Sequence, residues 1–188
     1  MPSRGKLIFV TGAARSGKSF WAEKMAADQG GQVIYIATCI PGDDEMINRV
    51  VRHKARRPVL WQTVEEPVDP ARIIKKLDQP GQIFLLDCVT LLLSNWMLQT
   101  DQGKDEEEIL EKITDLARAS YEAAAHVIIV SNEVGGGIVP ADPLARCYRD
   151  ILGRANQKIA AYADEAYITI AGIPVELKAL TRAMRADI

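Results

Sequence analysis

Residues 6–19 read KLIFVTGAARSGKS. An apolar, β-branched run reaches Thr11, and Gly12 to Ser19 then fit the pattern G-x-x-x-x-G-K-[ST] in full. The match lies between a predicted strand and a predicted helix over residues 17–28, the context that gives this motif its meaning. Glycines let the backbone bend so that successive N–H groups and the helix N-terminus face a phosphate chain. On this reading Gly12, Ala13, Ala14, Arg15, Ser16 and Gly17 form the cradle, Lys18 brings a point charge to the outer phosphates, and Ser19 ligates Mg²⁺. The alternative is a glycine-rich turn that merely starts a helix. Correct spacing with both flanks in place weighs against it.

Outward from this turn, short β-branched runs alternate with longer helical patterns. Gly30 and Gly31 end the first helix, and VIYIAT (33–38) is the second strand. Asp43 or Asp44 caps a helix carrying Met46, Val50 and His53, which closes at Arg57-Pro58 because the residue before proline avoids the helical region. A half-buried strand is expected at VLWQTV (59–64). Asp69-Pro70 pairs a capping side chain with proline at the first helical position and starts a helix to about residue 77. QIFLLD (82–87) is a buried strand, TLLLSNWML (90–98) an apolar helix, and 105–125 a long amphipathic helix after a polar turn. HVIIVSNE (126–133) is a further core strand; VGGGIVP (134–140) reads as a loop where strand hands over to helix, a usual place for an active-site segment. Asp142-Pro143 restarts a helix to about residue 163 with Gly153 as its weak point, and AYITIAG (166–172) closes the sheet before a short polar tail. The alternation implies an α/β fold, a mainly parallel central sheet flanked by helices.

With 188 residues and 48 % hydrophobic content, one domain over 1–188 is the expectation. A net charge of −2 argues against a general nucleic-acid binder, so local charge must serve any phosphate chemistry. Cys39, Cys88 and Cys147 are odd in number and widely spaced, which suggests reduced, partly buried thiols rather than a disulfide framework or a metal site. MPSRGK has no signal-like apolar core, and no apolar run reaches the roughly 18 residues of a membrane span, so cytoplasmic residence without membrane insertion is expected.

Asp87 ends an apolar strand, and in open α/β sheets the carboxyl ends of strands form the ligand crevice. It is the natural Mg²⁺ carboxylate, or a helix cap, or both. Between residues 49 and 57 the chain gathers Arg49, Arg52, His53, Lys54, Arg56 and Arg57. Helical spacing puts Arg49, His53 and Arg56 on one face. Neighbouring cations disfavour a protonated imidazole, so His53 is expected neutral, with a nitrogen able to attack phosphorus while the cations offset phosphate charge. Two blander readings stand beside this one. Met46, Val50 and His53 fall at i, i+4 and i+7, which would make His53 a core residue, and the patch could be a solvated basic helix end. His126, at the amino end of its strand, is read as structural. Asn132 and Glu133 end a strand beside the glycine loop, where they either handle substrate or its hydroxyl proton, or serve as caps.

Almost the whole chain resembles the bifunctional adenosylcobinamide kinase / adenosylcobinamide-phosphate guanylyltransferases of cobalamin biosynthesis. The resemblance is carried by TGAARSGKS followed by AE, YIAT, DDEM, R-x-x-x-H-K-x-x-R-P, W-x-T-x-E-x-P, LLDCVTLLLSN, SNEVGGGIVP, R-D-x-x-G-x-x-N-Q and ADEA. Leu92, where many relatives carry tryptophan, is a local departure. The resemblance implies a RecA-like P-loop NTPase fold and two reactions. One moves a γ-phosphate from ATP or GTP to the hydroxyl of adenosylcobinamide. The other passes GMP from GTP through a histidine to adenosylcobinamide phosphate. The guanylylated histidine falls on His53, and nucleotide contacts fall on the P-loop, on Ala37, Thr38 and Cys39, on Lys54, Ala55, Arg56 and Arg57, on Glu65 and on Asp87. One small domain offers little area for so large a ligand, so a homo-oligomer is expected, and the resemblance implies a trimer. The competing functions are a kinase acting on another small alcohol with His53 structural, and a nucleotide-driven switch module, for which the chain has no spare length.

Overall fold

The computed structural model describes residues 4–98 and 105–186, with Glu45, Arg49, Arg56 and residues 184–186 described as backbone alone. The expected polar turn before residue 105 and the side chains of Arg49 and Arg56 therefore lie outside the described residues. Seven strands form one sheet in the order β3-β2-β4-β5-β1-β6-β7. They are β1 (Leu7–Gly12), β2 (Gln32–Ala37), β3 (Gln62–Glu65), β4 (Gln82–Asp87), β5 (His126–Val130), β6 (Glu165–Ile170) and β7 (Ile173–Glu176). Every pairing is parallel except β6 with β7. The helices are α1 (Lys18–Asp28), α2 (Asp44–Arg56), α3 (Pro70–Leu77), α4 (Val89–Leu98), α5 (Glu106–Glu122), α6 (Pro143–Tyr162) and α7 (Leu177–Ala186).

The strands are apolar on both sides because helices cover both sides. Leu7, Phe9, Ile34, Ile36, Phe84, Leu86, Val127 and Ile129 point to a core shared with α3, α4, α5 and α6. Ile8, Val10, Val33, Tyr35, Ile83, Leu85, Ile128 and Val130 alternate with them and face a smaller core under Ala22 and Ala26 of α1. Leu92 is fully buried in the larger core, so the tryptophan-to-leucine departure is a matter of packing.

Helix starts follow the side chains that cap them. Asp43, Asp69 and Asp142 each accept a hydrogen bond from a backbone N–H three residues on, with Pro70 and Pro143 opening their helices. α2 stops where Arg57 turns extended before Pro58. α6 continues through Gly153 without a break.

Three sequence expectations are corrected. The third strand begins at Gln62, not Val59: the Trp61 N–H closes a turn onto the Pro58 carbonyl and leaves Val59 and Leu60 fully in solvent. The long helix α5 and the core strand β5 each end about three residues early, leaving Ser131 to Glu133 as irregular chain. The polar tail is instead β7 and α7. Ala171 and Gly172 take positive φ of 51° and 81° and fold a two-residue hairpin that pairs Ile170 with Ile173. The cysteines also differ from one another, with Cys88 buried, Cys39 intermediate and Cys147 exposed.

Candidate active site

The P-loop occupies the carboxyl end of β1, where β5 and β6 pack on either side of that strand. Its glycines answer to lack of space. A Cβ on Gly12 would sit 2.5 Å from Ser16 Oγ and 2.6 Å from the Thr169 carbonyl, and one on Gly17, at φ 96°, would sit 3.1 Å from Gly172 Cα. The Gly172 N–H donates to the Ser16 carbonyl at 2.9 Å, so the β6–β7 turn clasps the cradle. Ala13, Ala14 and Arg15 are exposed on the outside of the turn, Ser16 is buried with an Oγ that finds no partner among the described residues, and Lys18 is 8 % exposed. Lys18 Nζ donates back to the Ala13 carbonyl at 3.3 Å.

A cavity of about 240 Å³ opens beside this loop. Lys18 and Ser19 form one part of its wall, Ala37 and Cys39 another, and Asp87 a third. His53 joins them from α2, with Met46 and Val50 on the same face of that helix and Lys54, Arg57 and Glu65 at its rim. The stripe that could have marked His53 as a core residue is thus the cavity-facing side of α2. Met46 and Val50 are half-buried, not enclosed, and so is His53.

Two expected contacts are placed elsewhere. Thr38 is fully buried; its Oγ1 donates to the Cys88 carbonyl at 2.8 Å and accepts from the Cys88 N–H at 2.9 Å, tying the ends of β2 and β4 together. Its side chain therefore supports the cavity floor and does not face the cavity. Ala55 is exposed on α2, outside the wall, and the side chain of Arg56 lies outside the described residues. His126 is at the opposite end of the sheet, accepting the Lys6 N–H on Nδ1 at 3.0 Å.

Tyr35 was not singled out in the sequence, yet it connects two of the expected site residues. Its hydroxyl donates to Asp87 Oδ2 at 2.7 Å, and the Arg57 guanidinium lies 3.3 Å over its ring centroid. Burial, and then the Asp87 charge, push the phenol above its ordinary range, so it stays a donor at neutral pH. The signal was legible: a tyrosine two residues before the carboxyl end of an otherwise aliphatic strand carries a hydroxyl that needs a partner. At the edge of the cavity Lys54 and Glu65 pair at 2.7 Å. The hydrogen bond and charge of Lys54 hold the Glu65 carboxyl below its usual range.

Ser19 and Asp87 share the cavity wall and offer hard oxygen ligands, with the known bond to Asp87 made by its Oδ2. Among the described residues no group of three or more histidine, cysteine, aspartate or glutamate side chains is placed to hold a metal ion. That donor set fits Mg²⁺, which binds through one or two protein oxygens plus substrate phosphates and keeps its waters. Among the described residues no helix is long and apolar enough to cross a membrane.

The fold resembles that of the RadB recombinase, at TM-score 0.52 and 14 % identity over 88 % of this chain and 74 % of that one, a likeness of fold only. Sequence relatives are much nearer. The bifunctional adenosylcobalamin biosynthesis protein CobU of Escherichia coli K12 is 41 % identical over 181 residues, 92 % of this chain and 99 % of that protein. CobP of Pseudomonas aeruginosa, which carries the same description, is 41 % identical over 172 residues, 90 % of this chain and 95 % of its own. A family profile described as cobinamide kinase / cobinamide phosphate guanyltransferase matches residues 8–177, from the first strand through the P-loop and α2 to the start of α7. With the match running end to end through every wall of the cavity, the chain belongs to the cobinamide kinase / cobinamide phosphate guanyltransferase family.

Proposed function

We propose that this chain catalyses both family reactions on adenosylcobinamide and that His53 carries GMP between them. In the first, the substrate hydroxyl oxygen attacks the γ-phosphorus of ATP or GTP, the bond to the bridging oxygen breaks, and a nucleoside diphosphate leaves. Lys18 steadies the transferring group through its charge. In the second, a His53 nitrogen attacks the α-phosphorus of GTP and pyrophosphate departs. A phosphate oxygen of adenosylcobinamide phosphate then attacks the same phosphorus, the P–N bond breaks, and adenosylcobinamide-GDP is released. A phosphoramidate suits this relay, because protonated imidazole is a good leaving group and one hard displacement becomes two easier ones.

The observation that carries the reading is the common cavity: Lys18, Ser19 and His53 line the same space, with Lys54 and Arg57 at hand to offset phosphate charge. Ser19 and Asp87 would hold Mg²⁺, which when bound neutralises charge on the phosphates. The other nucleotide contacts are Gly12 to Gly17 through backbone N–H groups, Ala37 and Cys39, and Glu65 beside Lys54. The chain works as a single domain, in the cytoplasm and without nucleic acid. It forms a homo-oligomer, a trimer on the family resemblance. Fully exposed Val59 and Leu60, adjacent in sequence, offer apolar surface that such an interface could cover.

The test is mass spectrometry after incubation with GTP. Wild type is expected to gain one GMP, labile in acid and stable in base, and His53→Ala to gain none while retaining its kinase reaction. Equal GMP attachment in the variant would falsify the assignment, and absence of label from both proteins would leave only a kinase.

A further inference from the structure

The chain between β5 and α6 leaves a carboxylate at the P-loop that the cavity chemistry does not use. Glu133 follows β5, the strand that lies between β4, which ends in Asp87, and β1, which ends in the P-loop. Its N–H donates to the Gly12 carbonyl at 3.0 Å, which fixes its backbone to the first residue of the cradle. Its neighbour Asn132 lines the cavity together with Lys18 and Ser19.

The carboxylate is oriented asymmetrically. Thr11 Oγ1 and Asn156 Nδ2 each donate to Glu133 Oε1 at 3.0 Å. Asn156 is itself held, accepting from Ser131 Oγ at 2.7 Å and donating to the Asn132 carbonyl at 3.0 Å. Thr11, Ser131 and Asn156 are buried, whereas Glu133 is exposed. One oxygen is thus fastened by a buried network. Among the described residues no hydrogen bond or ion pair reaches the other. A helix cap would spend its oxygens on backbone N–H groups of the next helix, but α6 starts at Pro143 under Asp142. Capping therefore does not account for Glu133. Beyond it, Gly135, Gly136 and Gly137 have open space where a side chain would stand, and Ile138 is 97 % exposed. A large acceptor can approach from this side without displacing core.

Resting on the kinase reading above, we propose that Glu133 is the proton acceptor for the substrate hydroxyl in phosphoryl transfer. As the hydroxyl oxygen bonds to the γ-phosphorus, its proton passes to Glu133 Oε2; the bridging oxygen leaves with the nucleoside diphosphate, and Glu133 returns the proton to water after release. GMP transfer to His53 involves no acceptor hydroxyl and makes no use of Glu133.

Glu133→Gln is the discriminating variant, because its carbonyl oxygen still accepts from Thr11 and Asn156 and only the basic oxygen is lost. Kinase kcat is expected to fall about 100-fold, the lower end for loss of a general base, with nucleotide KM, melting temperature and GMP attachment to His53 unchanged. Thr11→Val removes a donor from the fastened oxygen and leaves the basic one, so it should cost less than about tenfold in kcat. A Glu133→Gln enzyme with wild-type kinase turnover overturns the proposal. So does a Thr11→Val enzyme as slow as Glu133→Gln, which would make the cluster a scaffold, and so does parallel loss of GMP attachment in Glu133→Gln. If wild type never acquires GMP yet Glu133→Gln loses its kinase reaction, the histidine reading fails and this one stands.

Discussion

Around the P-loop, backbone meets backbone: Gly12 has no room for a Cβ, Gly17 at φ 96° has only a tight 3.1 Å to Gly172 Cα, the Gly172 N–H holds the Ser16 carbonyl, and α1 starts directly with a buried Lys18. Around α2 the contacts are made by side-chain ends. Its described side chains are exposed or half-buried, and its ties to the fold include the Lys54–Glu65 pair and, from Arg57 at its end, a stack on Tyr35 and a hydrogen bond to Thr63. Both regions wall the same cavity. The difference teaches which function needs rigidity in advance. A phosphate cradle works through fixed N–H directions and tolerates little adjustment. A nucleophile on a lightly packed helix can shift within its face, and few buried contacts mean low local stability.

The sharpest way to break this comparison is one small change of side-chain size in each region. Gly12→Ala forces a Cβ to 2.6 Å from the Thr169 carbonyl, a backbone atom that cannot swing aside. We expect a loss of about 2–4 kcal/mol in stability and of both activities together, since overpacking and strain lie in the severe tail of single substitutions. On α2, Val51→Ala trims an exposed side chain and should stay within about 0.5 kcal/mol, read by chemical denaturation. Equal losses at the two sites would show that α2 is as tightly built as the cradle.

The same contrast explains what could be read from the sequence. The strands of the sheet centre were legible because both faces are buried, so apolar runs such as Ile83 to Leu86 could be nothing else. The helix starts at Asp69-Pro70 and Asp142-Pro143 were legible because a cap and a proline act locally. The β6–β7 hairpin was not. Ala171-Gly172 lacks the asparagine or aspartate that advertises such a turn, and only pairing across the strands places Ala171 at positive φ. In the site, the P-loop was legible as a contiguous motif. The tie of the Thr38 side chain to Cys88 was not legible because its partner is 50 residues away, and Tyr35 went unnoticed for the same reason: its partners lie on β4 and after α2.

Tyr35 joins the rigid part of the site to α2, so its variants sharpen the comparison at intermediate size. Tyr35→Phe keeps the ring under Arg57 and removes the donor to Asp87 Oδ2. Stability should fall by about 1.5–3 kcal/mol, as for loss of a hydrogen bond to a charged group. The Mg²⁺ concentration giving half-maximal kinase rate, and the Mn²⁺ affinity seen by electron paramagnetic resonance, should each shift several-fold, while GMP attachment to His53 changes little. Tyr35→Leu removes the stack as well and should slow GMP attachment too. If Phe and Leu behave alike, the stack does not hold α2.

The smallest effect is expected at the Lys54–Glu65 pair, and it tests how loosely α2 is moored. The side chains are 46 % and 67 % exposed, so water and salt screen a 2.7 Å contact that would otherwise look strong. A double-mutant cycle with Lys54→Met and Glu65→Gln should give a coupling of about 0.5 kcal/mol or less. Its pH dependence has a defined sign. Lys54 lowers the carboxyl of Glu65 in the folded chain, so the stabilisation is complete above the unfolded carboxylate range and disappears as pH falls through the lowered folded value. The coupling should therefore be present at neutral pH, absent in strong acid and weakened by added salt. A coupling several times larger, insensitive to salt, would place this pair among the buried interactions and remove the distinction between the two walls of the cavity.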